Sequence, residues 1–115
     1  MNISFKGFNA NNVTFFCPTE IAPGKVIKMA GDGEVEAAAN GDAVFGVNIQ
    51  WRNQYAGVQL AGYVECQYSG TTPNYGFEKL CVDSNGGVKK SSDASAIAYR
   101  VLHVDTANKI IGFIL

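Results

Sequence analysis

The chain has 115 residues, the size of one ordinary domain; such a length implies a radius of gyration of about 13 Å and burial of roughly two thirds of the unfolded surface. Nine Lys and Arg face ten Asp and Glu, a net charge of −1, which argues against a nucleic-acid binder working by phosphate neutralisation and against a polybasic membrane patch. Apolar residues make up 47 % and charged residues only 17 %, which excludes disorder and raises the question of what covers so uncharged a surface.

The opening Met1-Asn2-Ile3-Ser4-Phe5-Lys6 lacks a basic stretch followed by an apolar one, so no signal peptide is expected. The run from Ile110 to Leu115 is too short to span a bilayer, and synthesis in the cytoplasm is the expectation. Residues 1–12 are Asn-rich and read as a flexible N-terminal arm, leaving 13–115 as a single β-domain. Val13 to Cys17 is the first strand, stopped by Pro18. Pro23-Gly24 turns the chain into Lys25–Met29, and Asp32-Gly33 turns it again into Glu34–Ala37. After Asn40-Gly41-Asp42, the residues Ala43, Phe45, Val47 and Ile49 alternate with Val44, Gly46, Asn48 and Gln50, the period of a half-buried strand. Trp51 to Gln54 reads as a polar connection.

The clearest strand runs from Tyr55 to Tyr68, with Ala56, Val58, Leu60, Gly62, Val64, Cys66 and Tyr68 on one face. It is long for a strand, so Gly57 and Gly62 are expected to bend it and let it serve two sheet regions. Ser69 to Gly76 is a loop and Phe77 to Val82 a strand, followed by the type I′ hairpin signal Asn85-Gly86 and the pairing strand Val88-Lys89-Lys90. Ser91 to Ser95 is a loop or one helical turn. Ile97–Val104 and Lys109–Leu115 are the last strands, the second apolar on both faces and hence central or covered on both sides. Lys25–Met29 with Asp32-Gly33 and Val35 is echoed 53 positions later by Glu78–Val82 with Asn85-Gly86 and Val88, a repeated hairpin logic suited to closing a small barrel or sandwich. The predicted class is an all-β, small single-domain barrel or sandwich of short antiparallel strands with little or no helix.

No catalytic motif emerges. His103 is the only histidine and lies within a strand without a nucleophile motif around it. The carboxylates are scattered, Glu34 and Glu36 sharing a strand face. Asp83-Ser84-Asn85-Gly86 lacks the spacing and closing Glu of a calcium loop. No phosphate-binding Gly motif occurs. Cys17, Cys66 and Cys81 are odd in number and have no CxxC spacing, so buried free thiols are expected rather than a disulfide framework or zinc site. By elimination the chain does not read as an enzyme, and no cofactor or metal is expected. Tyr55, Tyr63 and Tyr68 with Trp51 and Arg52 form the one aromatic group suggestive of binding, and Trp51, a large aromatic in a polar connection, is its expected interface anchor.

The organisation of the chain resembles the head decoration, or capsid cement, proteins of tailed bacteriophages. The resemblance rests on Ile21–Ile27 leading into Gly31–Ala38, on Gly41–Val47 and Ala61–Val64, on Lys79–Asp83 with Gly86–Lys89, and on the ending Val101–Leu115. It covers most of the chain from about residue 20, in turn and strand patterns. The resemblance implies a virion protein without chemistry. Such a protein sits on the outer surface of the expanded head, often as a trimer at local three-fold positions, and clamps neighbouring major capsid subunits. It also implies that residues 1–12 order on the capsid by strand addition, which needs only an extended segment and an open sheet edge. The expected partner contacts are Asn2, Ile3, Phe5 and Phe8 on the arm and Trp51, Arg52 and Tyr55 on the domain. The partners expected are the major capsid protein and further copies of the chain, with no direct nucleic-acid or membrane contact.

Two other readings compete. A virion- or tail-associated β-domain binding carbohydrate or a host receptor would use Trp51, Tyr55 and Tyr63. A small β-barrel enzyme would need a cleft joining His103 to Asp105 or Glu65.

Overall fold

The computed structural model describes residues 11–93 and 96–115. Every regular element among them is a strand: β1 (Asn11–Phe16), β2 (Val26–Gly31), β3 (Glu34–Ala37), β4 (Gly46–Arg52), β5 (Tyr55–Ala61), β6 (Tyr63–Ser69), β7 (Gly76–Val82), β8 (Val88–Lys90), β9 (Ile97–Asp105) and β10 (Ile110–Ile114). They close into two five-stranded barrels, ordered β1-β3-β2-β4-β5 and β10-β6-β8-β7-β9. The Cα radius of gyration is 13.4 Å, as the length implies.

The two barrels repeat one topology. β1 pairs parallel with β3 and antiparallel with β5, and β6 pairs the same way with β8 and β10. The β2–β3, β2–β4 and β4–β5 ladders recur as β7–β8, β7–β9 and β9–β10. The sequence echo therefore marks the middle of a five-strand unit that occurs twice. The parallel pairs are the departure from a purely antiparallel expectation: in each unit a strand joins the third strand rather than the second, and this closes the barrel.

The long predicted strand is broken at Gly62 alone, whose φ of 88° lies in the region that only glycine enters freely. Gln59 secures this corner, its Nε2 donating to the carbonyls of Ala61 and Tyr63 at 2.9 and 2.8 Å. Gly57 stays within β5 and does not end it; the bulge of this ladder lies opposite it on β4, between Asn48 and Gln50. The two halves of the predicted strand thus serve one barrel each. The last strand, β10, is central, flanked by β6 and β9.

Four expectations are corrected. β1 starts no later than Asn11, because β5 extends far enough to pair with Asn11 and Asn12; residues 1–10 lie outside the described residues. Trp51 and Arg52 belong to β4, and the connection to β5 is the two-residue turn Asn53-Gln54, both at positive φ (51° and 68°). Asn85-Gly86 does not form a two-residue turn. Val82 pairs with Val88, and the buried Asp83 organises the five-residue loop by accepting from the Asn85 and Gly87 N–H groups at 2.8 and 2.9 Å. The alternation from Ala43 to Gln50 does not hold as one face either: Val44 is buried while Phe45 and Ile49 are exposed. Residues 43–45 precede the strand, and a bulge at Ile49 resets its phase.

One core lies in the first barrel, around Cys17, Ile27, Val35, Ala56 and Val58. The other fills the second barrel with Leu80, Val82, Tyr99, Ile111 and Phe113, and it also takes Val26, Val44 and Val47 from the first half. Burying each such Val contributes about 1.5–3 kcal/mol over exposure, so the barrels stabilise one another. Hydrogen bonds cross the same junction: Val26 N–H to Gly86 O, Gly41 N–H to Val82 O and Val82 N–H to Asp42 O, at 2.8, 2.8 and 2.9 Å. Tyr99 donates its hydroxyl to Val44 O at 3.0 Å. The three cysteines are free and buried, as expected.

Candidate functional site

The β4–β5 hairpin places the domain residues expected to meet a partner, and it separates their roles. Trp51 is half-buried against the first core, its Nε1–H donating to Cys17 O at 2.8 Å. It is a structural wedge rather than an exposed anchor. Arg52 is exposed and directly opposite Tyr55, which is directly opposite Phe16 on β1. Residues opposite one another share a sheet face, so Phe16, Tyr55 and Arg52 form one outward row across three strands. Tyr55 is 53 % exposed, and its ring meets Phe16 edge-on at 5.8 Å. The next row is Thr14, Gly57 and Gln50. The missing side chain at Gly57 leaves a shallow recess of about 310 Å³ walled by Thr14, Gln50, Arg52 and Tyr55. Asn2, Ile3, Phe5 and Phe8 lie outside the described residues.

The second barrel carries a patch that the sequence reading passed over. Phe77 on β7 is 70 % exposed, and the Arg100 guanidinium lies 5.3 Å from its ring centroid. Phe77 and Arg100 are opposite in register, with exposed Tyr75 just before β7 and exposed Leu102 on β9 beyond them. A signal was present: Phe77 alternates in step with Lys79 and out of step with Leu80 and Val82, which puts it on the outer side. Each barrel thus presents aromatic rings with an arginine on its outer surface.

Tyr63 does not join an exposed platform with Tyr55. It is 4 % exposed and lies over Gly112, where an added Cβ would meet the Tyr63 hydroxyl. The hydroxyl donates to Glu65 Oε2 at 2.8 Å. Burial, with the Glu65 carboxylate beside it, raises the Tyr63 pKa well above the ordinary tyrosine value. Tyr68 is also buried, with Lys109 Nζ 5.4 Å from its ring centroid.

Glu65, Gly112 and His103 form one cross-strand row. Glu65 lines the groove at the junction of the barrels; His103 does not line that groove or the Gly57 recess. The groove consists of two adjoining recesses of about 260 and 350 Å³ that share Pro23, Gly24 and Glu65. Asp105 is held below the usual carboxylate range by the Asn108 side-chain amide and the Asn108 and Ala107 N–H groups, with His103 adding a smaller effect. No group of three or more His, Cys, Asp and Glu side chains suited to a metal ion occurs among the described residues. No helix among them is long and apolar enough to cross a membrane.

No protein-family model matches the chain, and no curated protein sequence matches it.

Proposed function

We propose that the protein is a non-enzymatic decoration protein of a tailed-phage head, binding the outer surface of the expanded capsid and clamping neighbouring major capsid subunits. The observation that carries this reading is the duplication. Two barrels of one topology are locked together, and each presents aromatic rings beside an arginine: Phe16, Tyr55 and Arg52 on the first, Phe77 and Arg100 on the second. Exposed Tyr, Phe and Arg are the residue types that anchor protein interfaces. Two such patches on one rigid body engage two neighbours with the avidity of an intramolecular second contact. A net charge of −1 suits dense packing on a shell, where a large charge repeated on every copy would repel itself.

The test mixes purified protein with undecorated expanded capsids and reads co-sedimentation and heat resistance. The wild type binds and raises the disruption temperature. Tyr55→Ala with Arg52→Glu, and separately Phe77→Ala with Arg100→Glu, each weaken binding at least tenfold, and the combined variant does not bind. Absence of wild-type binding, or indifference to both pairs, overturns the proposal. Native mass, alone and on the capsid, reads the trimer that the reading carries with it.

A second reading, a carbohydrate-binding virion or tail module, draws on the Gly57 recess with its Tyr ring and polar rim. There Tyr55→Ala abolishes glycan binding, whereas Phe77→Ala leaves it intact.

A further inference from the structure

The chain contains two Asn-Gly dipeptides, Asn40-Gly41 and Asn85-Gly86, and both lie at the junction of the barrels. Asparagine is chemically labile in this setting: the glycine nitrogen attacks the neighbouring side-chain amide, and no Cβ obstructs the approach. In an unfolded chain the two sites are equivalent. The fold makes them different.

At Asn40 the attacking nitrogen is occupied. Gly41 N–H donates to Val82 O at 2.8 Å, and Asn40 Oδ1 accepts from Lys89 Nζ at 2.8 Å. Attack there requires Gly41 to leave the bonds that join the barrels. Asn85 is exposed, and among the described residues neither its side-chain amide nor the Gly86 N–H has a hydrogen-bond partner. The rest of this loop is held: Asn85 N–H donates to Asp83 Oδ1, and Gly86 O accepts from Val26 N–H, both at 2.8 Å.

Lys25 places a charge on the reacting peptide unit. Its Nζ donates to Asn85 O at 2.8 Å, and its stem lies against Gly86. Asn85 O and Gly86 N belong to one amide. When that nitrogen gives up its proton, negative charge spreads onto Asn85 O, where the ammonium stands. A cation already positioned at an oxygen that gains charge lowers the barrier.

We propose that Asn85 is a self-modification site, converted to aspartate or isoaspartate by attack of Gly86 N on Asn85 Cγ with Lys25 stabilising the developing charge, while Asn40 is preserved. Solvent base takes the Gly86 proton; the bond from Gly86 N to Asn85 Cγ forms, the Cγ–Nδ2 bond breaks, and ammonia leaves. Water then opens the resulting succinimide at either carbonyl. Water is the only co-reactant, and nothing is oxidised or reduced. Opening to isoaspartate adds one carbon to the main chain between the N–H held by Asp83 and the carbonyl held by Val26. The modification therefore acts on the lock between the barrels. The proposal stands independently of the capsid reading.

The experiment incubates the full chain in mildly alkaline buffer, folded and in urea, and follows both sites by peptide mapping with mass spectrometry. In the folded wild type, Asn85 converts at least tenfold faster than Asn40; in urea the two rates agree within threefold. Lys25→Met keeps an apolar stem over Gly86 and removes the charge, and it slows Asn85 at least threefold in the folded chain but not in urea. Lys25→Gln, polar and uncharged, does the same, and Lys25→Arg keeps the wild-type rate. Asn40 in the same molecule reports the fold, since release of the Gly41 N–H raises its rate; a variant that loses the junction is recognised by this, and the other uncharged variant then decides. The isoaspartate form, separated by ion exchange, melts below the unmodified chain. Equal conversion of Asn40 and Asn85 in the folded chain, or a wild-type rate at Asn85 in both uncharged variants, overturns the proposal. An unchanged melting temperature of the isoaspartate form overturns its action on the lock.

Discussion

Gly112→Ala is the most informative single change, because it places one methyl group where a buried side chain already lies. A Cβ at residue 112 would lie within 2.8 Å of the Tyr63 Oη, Cζ and Cε1 atoms, so Tyr63 must move. Moving it breaks the hydrogen bond to Glu65. A bond to a charged partner contributes about 1.5–3 kcal/mol, and overpacking a filled site costs about 1–3 kcal/mol. Alanine returns about 0.4–1 kcal/mol by restricting the unfolded chain. The expected net loss is about 1.5–5.5 kcal/mol, or about 6–22 °C in Tm for a domain of this size. Urea unfolding followed by circular dichroism measures it as a lower midpoint with an unchanged slope. The cycle with Tyr63→Ala isolates the cause: Gly112→Ala should cost almost nothing once the ring is gone. A Gly112→Ala loss below about 0.5 kcal/mol, or a loss that simply adds to that of Tyr63→Ala, would refute the reasoning.

Gly86→Ala should cost about 1–2 kcal/mol, because φ at Gly86 is +82° and a left-handed conformation strains any residue with a Cβ; thermal unfolding reads it, and Lys25→Ala should not rescue it. Asn48→Ala should cost about 1–3 kcal/mol, measured by urea denaturation: it leaves the Ile21 and Ala22 carbonyls without their donor, offset in part by removal of the buried Oδ1 that has no partner. At acid pH, Asp42 and Asp105 are depressed in the folded state by backbone and side-chain N–H donors. Their contribution is present above the unfolded carboxylate range and disappears as pH falls through the folded pKa values. A plot of Tm against pH should therefore drop on the acid side, less steeply in Asp105→Asn. At alkaline pH the sign reverses for the Cys66 thiol, raised from 9.0 to about 12. Stability holds below pH 9 and declines as pH climbs from there toward 12, and Cys66→Ala should flatten that limb in the same measurement.

The strands and most of their boundaries were legible in the sequence, because period-two patterning and turn residues act locally. Gly62 was legible as the joint of a strand shared by two sheet regions, since a glycine in so long a run marks a place where the backbone leaves the pleat. Asn53-Gln54 was legible only in part: Asn tolerates the left-handed conformation, but Gln carries no signal for the positive φ that the hairpin imposes on both. Asn85-Gly86 misled for the converse reason: the buried Asp83 carboxylate competes for the backbone N–H groups and draws the turn into a wider loop. Of the site residues, Arg52 and Tyr55 are exposed. Trp51 is half-buried because Cys17 O offers its indole N–H a partner beside the first core.

By itself, then, the sequence determined an all-β chain, its strands and a doubled hairpin pattern. Alternation tells which residues share a face; it does not tell which face is inside, and a single bulge such as that at Ile49 reverses the answer downstream. The tertiary structure alone decided the closure into two barrels, the exposure of Phe77 with Arg100 and the burial of Tyr63. It also made the groove, whose walls come from Pro23–Lys25, Val47–Ile49, Tyr63–Gln67 and Gly87. Segments so far apart in the chain meet only because parallel pairing closes each barrel and a shared core locks the two together.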